Sequence, residues 1–317
     1  MLRYILRRVG AMVPLLLIIV GFVFILGQYG ANDLAMSMTL RVNDGVFDPQ
    51  IYEAMRDKLD LSDPVLVRFM RFIGNAARGE FGVSYALQGT PEIGRMIAKA
   101  LPISLQLGLA AMLMCIVVGI PLGVASAAWR NSAADYLIVG GATVLSSVPA
   151  FVLAPIAMVV LVGQLRILPT VGTGWHGLLA KETLLPAACL AAGPLLGVVR
   201  YTRASVIDTL SQEYIRAARA RGLAEWQVVA RHAIKNSMTP VLTTLGLATA
   251  RLLSGSIFVE TVFSIQGLGS MAVTAFQAGD IQTVAATTLV SAMIVMTANI
   301  IVDLFYGVLD PRVRLTA

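Results

Sequence analysis

A basic segment from Glu213 to Thr243 carries the residues best suited to bind a partner. It has helical spacing and lies between two long apolar stretches. Short amphipathic helices dock onto other proteins through regularly spaced apolar anchors. The pattern therefore indicates a segment on one membrane face that offers itself to a soluble protein. The apolar positions of the segment are Ala217, Ala218, Leu223, Trp226, Val228 and Val229.

The same segment could instead be a solvated basic loop that touches lipid headgroups. The number of apolar positions favours docking over this alternative. Its two halves, AARARG and LAEWQVVARHAIKN, predict two short amphipathic helices that meet at Gly222, where glycine allows the backbone to turn. Upstream, Val206, Ile207 and Leu210 predict that the preceding helix continues beyond the membrane.

The ionisable residues to weigh within the apolar stretches are Arg251, Glu260 and Asp303, because a charge there is costly unless it faces protein or water. Glu260 and Asp303 lie near predicted helix ends, so we expect structural roles for both. Arg251 lies midway along the fifth apolar stretch. It could line a pathway and attract a substrate carboxylate, or it could pair with an acid of the helix bundle or of a partner chain. The frequent pairing of membrane charges favours the second alternative.

The cysteines and histidines do not suggest a metal site. Cys115 and Cys189 lie in apolar stretches without a neighbouring Cys or His, which predicts small buried side chains rather than a disulfide or ligand pair. His176 and His232 are too isolated in the sequence to form a ligand set. We therefore expect binding rather than bond-making chemistry.

The elements that position these residues lie in lipid. Of 317 residues, 57% are hydrophobic and only 13% charged, and the mean hydropathy is +0.79. A helix of roughly 20 apolar residues crosses a hydrocarbon core about 30 Å thick. Six runs reach this length, at about 10–29, 101–128, 136–162, 184–201, 239–262 and 284–308.

The distribution of Lys and Arg predicts the orientation, because short cytoplasmic loops carry an excess of them. Residues 1–9 hold three Arg and no acid, and residues 200–238 hold seven basic against three acidic residues. Residues 31–98 hold seven basic against nine acidic residues. Both termini are therefore expected inside the cell and the 31–98 region outside. The alternative that the N-terminus is a cleaved signal peptide is disfavoured by its long apolar region and missing A-x-A site.

The 31–98 region is large enough to fold by itself. Its pattern predicts helices over 49–59 and 64–77, a turn at 62–64, and a loop over ARGEFGVSYALQGTP. Its bulk suggests a cap or docking surface. The sequence pI of about 9.6 does not indicate nucleic-acid binding, because the basic residues follow membrane topology and do not interleave with aromatic residues.

Within the basic segment, Arg216-Ala217-Ala218 followed by Gly222 resembles the EAA loop of ABC importer permeases. Arginine replaces the glutamate of that pattern, as is typical of the dipeptide/oligopeptide/nickel subfamily. The resemblance implies that the segment couples to an ATPase. The residues that match the pattern or flank it are Tyr214, Arg216, Ala217, Ala218, Arg221, Gly222, Leu223, Trp226, His232 and Asn236.

The resemblance extends over nearly the whole chain. LRYILRR, DLSDPVLVRFMRFI, GEFGVS, GIPLGVASAAWRN and VDLFYGVLDPRVR look like the first permease subunit of the subfamily, and their order is highly specific. Three outer positions depart from its pattern, at Gly30–Asp33, Ile265–Gln266 and Asp280–Gln282. They put the docking surface or the substrate class in doubt more than the mechanism.

The resemblance implies an all-α polytopic membrane protein with six transmembrane helices and the type I ABC importer permease fold. The implied divisions are a cytoplasmic tail with the first helix (1–30), a small extracytoplasmic region (31–99) and a permease core (100–317) with its coupling loop at 202–238. It further implies the bacterial inner membrane, a heterodimer with a homologous second permease, two ABC ATPase subunits and an extracytoplasmic substrate-binding protein. Substrate would cross by alternating access.

The chain itself is expected to be neither an enzyme nor a holder of cofactors. It contains no G-x-x-x-x-G-K-[ST] run, so ATP and Mg²⁺ are expected in the ATPase subunits. Small peptides are the expected substrates, with nickel chelates, glutathione, sugars or opine-like compounds as alternatives within the same subfamily. A self-sufficient ion-coupled carrier is disfavoured, because Glu260 and Asp303 form no intramembrane relay.

Overall fold

The computed structural model describes residues 2–28, 34–84, 91–169 and 175–309. Regular structure in these ranges is helical apart from one isolated bridge between Val83 and Glu92. Three short π-helical segments, Cys115–Gly119, Met158–Gln164 and Val228–Ala233, adjoin α-helices. The α-helices are α1 (Leu2–Gln28), α2 (Leu34–Val42), α3 (Pro49–Lys58), α4 (Val65–Ala76), α5 (Ile93–Met114), α6 (Ile120–Ala128), α7 (Ala133–Ser147), α8 (Ala150–Ala157), α9 (Lys181–Leu210), α10 (Glu213–Ala220), α11 (Glu225–Gln227), α12 (Ile234–Val262), α13 (Leu268–Gln277) and α14 (Ile281–Leu309).

The chain divides into two compact units. The first comprises Met1–Ser104 and Gln266–Met296, and the second comprises Leu105–Ile265 and Thr297–Ala317. The core of the first unit draws on α1, α4, the start of α5, α13 and the start of α14. Its fully or nearly buried side chains include Val20, Phe24, Phe72, Ile93, Leu268 and Ala285.

The two helices predicted within 31–98 are confirmed. Pro49 begins α3, where its missing N–H costs nothing, and the Asp48 carboxylate accepts from the backbone N–H of Gln50 at 2.8 Å. The turn before α4 holds Pro64, which again lies at a position that needs no donor. The helix α2, nine residues long, was not predicted from the sequence.

The second unit is organised around α9, which packs against α6, α7, α8 and α12. As predicted, α9 continues beyond the apolar run to Leu210. Cys115 and Cys189 are both buried, also as predicted. The second half of the basic segment differs from the prediction: α11 and the π-helical segment Val228–Ala233 run directly into α12, so they form no separate short helix.

The apolar run at 136–162 is not one straight helix. It comprises α7 and α8 with its π-helical extension, and the two parts are bent by 101°. The break follows from Pro149, which disfavours the α conformation at the residue before it. Val148 accordingly adopts an extended backbone (φ −91°, ψ 119°).

Three helical stretches among the described residues are long and apolar enough to cross a membrane, Ile93–Ala128, Lys181–Leu210 and Ile281–Val302. The bent pair makes a fourth if it is a single span. The apolar part of α1, Gly10–Leu26, is slightly shorter. The exact number of six spans stays a prediction.

Candidate functional site

The basic segment consists of α10, a tight turn, and the helical residues that lead into α12. After α9, Ser211 donates its backbone N–H to the carbonyl of Ile207 at 3.2 Å and its hydroxyl to that of Asp208 at 2.7 Å. These bonds satisfy carbonyls that the helix end leaves without partners. Gln212 then has extended backbone (φ −70°, ψ 153°), and α10 begins at Glu213.

The turn after α10 depends on Gly222. Its φ of +81° lies in the left-handed region that favours glycine, and its N–H donates to the carbonyl of Arg219 at 2.9 Å. Arg219 also donates from Nε to a Glu225 carboxylate oxygen at 3.0 Å across the turn. This contact raises the pKa of the Arg219 guanidinium and lowers the pKa of Glu225 from its ordinary value. A backbone hydrogen bond and a side-chain ion pair thus both hold the turn closed.

A small apolar cluster lies beneath the segment. Ile215 and Val228 are fully buried, Ala218 is 6% exposed, and Leu210 packs against them. The segment therefore has an inner face that holds α10 on the π-helical stretch. Two of the apolar positions on which the docking prediction rested, Ala218 and Val228, are buried in this cluster. The spacing of Ile215 and Ala218, three residues apart, was the signal for this inner face.

Polar contacts join α10 to α12. Asn236 donates from Nδ2 to the Tyr214 hydroxyl oxygen at 3.0 Å and to the His232 carbonyl at 3.1 Å. Ser205 of α9 donates to the Ser237 carbonyl at 2.8 Å. Asn236 thus links the Tyr214 side chain of α10 to the start of α12, and His232 takes part in these bonds through its backbone carbonyl.

The outer face of the segment is exposed and carries apolar, aromatic and basic side chains. Trp226 is 68% exposed, a large fraction for an indole side chain. Aromatic and arginine side chains are the residue types that most often anchor protein interfaces. The exposed predicted residues are Tyr214, Arg216, Ala217, Arg221, Gly222, Leu223, Trp226 and Asn236.

A second set of polar residues lies near the C-terminal end of α9 and was not predicted from the sequence. Arg203 donates from Nε and Nη2 to the two Asp135 carboxylate oxygens, at 2.8 and 2.7 Å. Ser126 donates its hydroxyl to the same carboxylate at 2.5 Å, and the Asn131 N–H donates at 2.9 Å. Asp135 is 3% exposed. This Asp135–Arg203 network ties the turn between α6 and α7 to the helix that leads into the basic segment.

Close packing accompanies the network. A Cβ added at Gly123 would lie 2.5 Å from Thr202 Cβ and 2.8 Å from the Val199 carbonyl oxygen. One at Gly119 would lie 3.0 Å from a Val198 methyl group. Glycine therefore lets α6 and α9 approach closely, as small residues do between membrane helices.

The predicted pathway residue lies in α12, and its backbone there is helical. The side chains of Arg251 and Asp303 lie outside the described part of the structure. Glu260 is fully buried. In the described ranges, no three His, Cys, Asp or Glu side chains are grouped so as to hold a metal ion.

Two of the three departures from the subfamily pattern are described. Asp280 caps α14, because its carboxylate accepts from the Thr283 N–H at 3.1 Å and the Thr283 hydroxyl at 2.7 Å. It also accepts from the Ser84 hydroxyl at 2.6 Å, and Gln282 donates to the Phe81 carbonyl at 3.0 Å. Ile265 is buried. The departure at 30–33 lies outside the described residues.

The chain is similar to known transport proteins along its whole length. Residues 119–315 match the family of binding-protein-dependent transport system inner membrane components, and residues 1–107 match the N-terminal domain of such components. The dipeptide transport system permease protein of Lactococcus lactis subsp. cremoris is 36% identical over 99% of this chain and 100% of its own length. The oligopeptide transport system permease protein of Bacillus subtilis is 34% identical over 99% of this chain and 100% of its own length.

A third relative has another substrate in its name. The glutathione transport system permease protein of Salmonella paratyphi A is 34% identical over 99% of this chain and 99% of its own length. All three matches extend along the whole chain, so they cover both compact units. The chain therefore belongs to the family of binding-protein-dependent transport system inner membrane components, as a helical permease subunit of an importer.

Proposed function

We propose that the outer face of residues 213–236 is the surface on which a separate ATPase subunit docks. The observation that carries this proposal is the division of the segment into two faces. Ile215, Ala218 and Val228 fix it from within, while Trp226 and Leu223 remain exposed. A rigid backbone with exposed anchors binds without a large ordering cost.

The mechanical step follows from the chain connections. The basic segment joins α9 directly to α12, so a force on α10 acts on both helices. Closure of an ATPase pair would push this segment and rock the membrane helices between inward-open and outward-open states. ATP and Mg²⁺ then belong to the ATPase subunits, and this chain has a mechanical rather than a catalytic function.

The docking proposal is tested with Trp226→Ala, expressed together with the neighbouring genes for a second permease and the ATPases. The matched control is Trp129→Ala, because Trp129 is also exposed (58%) but lies in the turn after α6. We expect Trp226→Ala to lose copurifying ATPase and substrate-stimulated ATP hydrolysis, and the control to retain both.

Two results would contradict the proposal. Equal ATPase retention in both variants would place the docking surface elsewhere. If no ATPase copurifies with the unmodified chain, an ion-coupled carrier becomes the better explanation. Ala218→Asp is unsuitable for this test, because Ala218 is buried and a carboxylate there would disrupt the segment itself.

For the substrate, we infer small peptides. The relatives named above transport a dipeptide, an oligopeptide or glutathione by their names, and all these solutes carry carboxylates. Uptake of a labelled dipeptide into vesicles that contain the assembled importer tests the inference; nickel-chelate or sugar uptake in its place would overturn it.

A pathway function for Arg251 is a separate proposal. Arg251→Gln should weaken uptake of anionic peptides, and unchanged uptake with intact assembly would refute it.

We also propose the subunits with which this chain assembles, on the basis of the relatives named above. The assembly comprises a homologous second permease, two ABC ATPases and an extracytoplasmic binding protein, with both termini of this chain inside the cell. The excess of Lys and Arg in residues 1–9 and 200–238 supports this orientation. A green fluorescent protein fused to the C-terminus should fluoresce, whereas a dark fusion with full expression would place that terminus outside.

A further inference from the structure

The α4 helix has two apolar faces, and among the described residues only one of them packs against protein. Phe72 is 6% exposed, and Val65, Phe69 and Ile73 pack against the same core of the first unit. On the neighbouring face, Leu66 is 70% exposed. A helix that only covers a core needs one apolar stripe, so the second face requires its own explanation.

That second face is continuous. Leu66 and Met70 are four residues apart and therefore neighbours on the helix surface. Met70 is 62% exposed, and Val67 beside it is 45% exposed. Gly74 continues the same side by one turn and is also exposed. Three large apolar side chains thus stand together without protein over them in the described structure.

The remaining side of α4 is polar and fixed by ion pairs. Arg71 contacts the Asp60 and Asp63 carboxylates, each at 2.8 Å. These contacts raise the pKa of the Arg71 guanidinium, chiefly through the hydrogen bond to Asp63. Arg78, two residues after the helix, is exposed. Separate basic and apolar faces are the composition of a helix that lies at a membrane surface.

The contacts of α4 also place it at membrane depth. Phe24 of α1 packs edge-on against Phe69, with ring centroids 5.8 Å apart, and against Phe72 at 5.4 Å. Gly21 of α1 faces Phe69 as well. The apolar part of α1 ends at Leu26, so at 1.5 Å per residue these contacts lie about 3–8 Å inside its end.

Two further helices place these contacts near the membrane boundary. Ile97 of α5 and Ala285 of α14 belong to the core cluster that includes Phe72. Ile97 lies four residues before the apolar run at 101–128, and Ala285 lies one residue inside the run at 284–308. Interfacial helices bury their apolar face about 5–10 Å into the boundary between headgroups and acyl chains. The inner face of α4 is therefore level with that boundary.

We propose that α4 is an interfacial helix, whose face of Leu66, Val67 and Met70 contacts the acyl chains of the surrounding bilayer. Lipid is the occupant that these observations favour, because α1 exposes large apolar side chains at the same level. Phe22 and Ile25 of α1 are 59% and 54% exposed. The exposed apolar side chains of α4 and of α1 thus flank the same packed contact, near the same end of a membrane helix.

The experiment uses the full chain, together with the subunits that copurify with it, in lipid nanodiscs. Met70→Cys is labelled with a fluorophore, and quenching is compared for nitroxide-bearing lipids and for aqueous iodide. Glu53→Cys on α3 is the matched control, because Glu53 is exposed within the same region but lies on a polar helix. The native cysteines are buried, and the labelled unmodified chain gives their background.

We expect nitroxide lipids to quench the Met70→Cys label several-fold more than the Glu53→Cys label, and iodide to do the reverse. If iodide quenches both labels equally, α4 faces water and the proposal is wrong. If neither quencher reaches the Met70→Cys label, a protein subunit covers this face and the proposal is also wrong. Leu66→Cys, one turn earlier on the same face, repeats the measurement if Met70→Cys does not assemble.

Discussion

Arg203 and Arg219 lie on consecutive helices, and each contacts one carboxylate, but their surroundings are opposite. The Arg203 side chain is 28% exposed and that of its partner Asp135 is 4% exposed. The Arg219 and Glu225 side chains are 41% and 61% exposed. The first pair joins residues 68 positions apart, whereas the second joins residues six positions apart across a turn.

The difference indicates what each pair does. A buried carboxylate is tolerable only when its oxygens are well satisfied, and the Asp135 carboxylate accepts from Arg203, Ser126 and Asn131. That network fixes one helix against another. An exposed pair contributes little to stability, so the contact between Arg219 and Glu225 mainly fixes the local shape of the turn at Gly222.

The largest effect is expected from breaking the buried pair. Asp135→Ala leaves the Arg203 guanidinium partly buried without its carboxylate, which should cost about 3–5 kcal/mol of stability. Thermal unfolding of the purified chain in detergent measures the loss. In the Asp135→Ala, Arg203→Ala double variant the loss should be smaller than the sum of the single losses. A loss no greater than that of Glu225→Ala would refute the distinction.

An intermediate effect is expected from the glycine that accompanies the network. Gly123→Ala places a methyl group against Thr202 and Val199, and such overpacking typically costs about 1–3 kcal/mol. Gly140→Ala is the control, because that position on α7 has no heavy atom within 4 Å of an added Cβ. There the higher helix propensity of alanine should leave stability unchanged or raise it by up to about 1 kcal/mol. Equal effects of both substitutions in thermal unfolding would show that α6 and α9 do not pack as described.

The smallest effect is expected at the exposed pair. Arg219→Ala and Glu225→Ala, combined in a double-mutant cycle, should give a coupling energy of about 0.2–1 kcal/mol that falls with added salt. Because folding lowers the pKa of Glu225 from 4.5, the coupling should be fully present above pH 4.5 and disappear as the pH falls through the lower folded pKa. A coupling that persists in strong acid would exclude a carboxylate contribution.

Local patterns predicted much of the fold. The helices near 49–59 and 64–77 follow from turn residues and proline, and the extension of α9 to Leu210 follows from apolar spacing. The exposed turn at Gly222 was likewise predictable from one glycine between two amphipathic stretches. These features depend on interactions within a few residues, which a single sequence displays directly.

Features that depend on distant contacts were not predictable. Nothing near Asp135 in the sequence points to Arg203, and Ala217 and Ala218 look equivalent until the cluster around Ile215 separates an exposed position from a buried one. The 101° bend between α7 and α8 was not predicted either. Pro149 signals a break, but the size of the bend depends on what each half packs against.

The position of Arg203 along α9 has a geometrical consequence. The helix is about 45 Å long at 1.5 Å per residue, and Arg203 lies about 10 Å from its end at Leu210 and about 33 Å from its start at Lys181. With the Asp135 contact as a fulcrum, α9 is a lever with arms in a ratio of about one to three. A rigid tilt that moves Leu210 by 1 Å therefore sweeps Lys181 through about 3 Å.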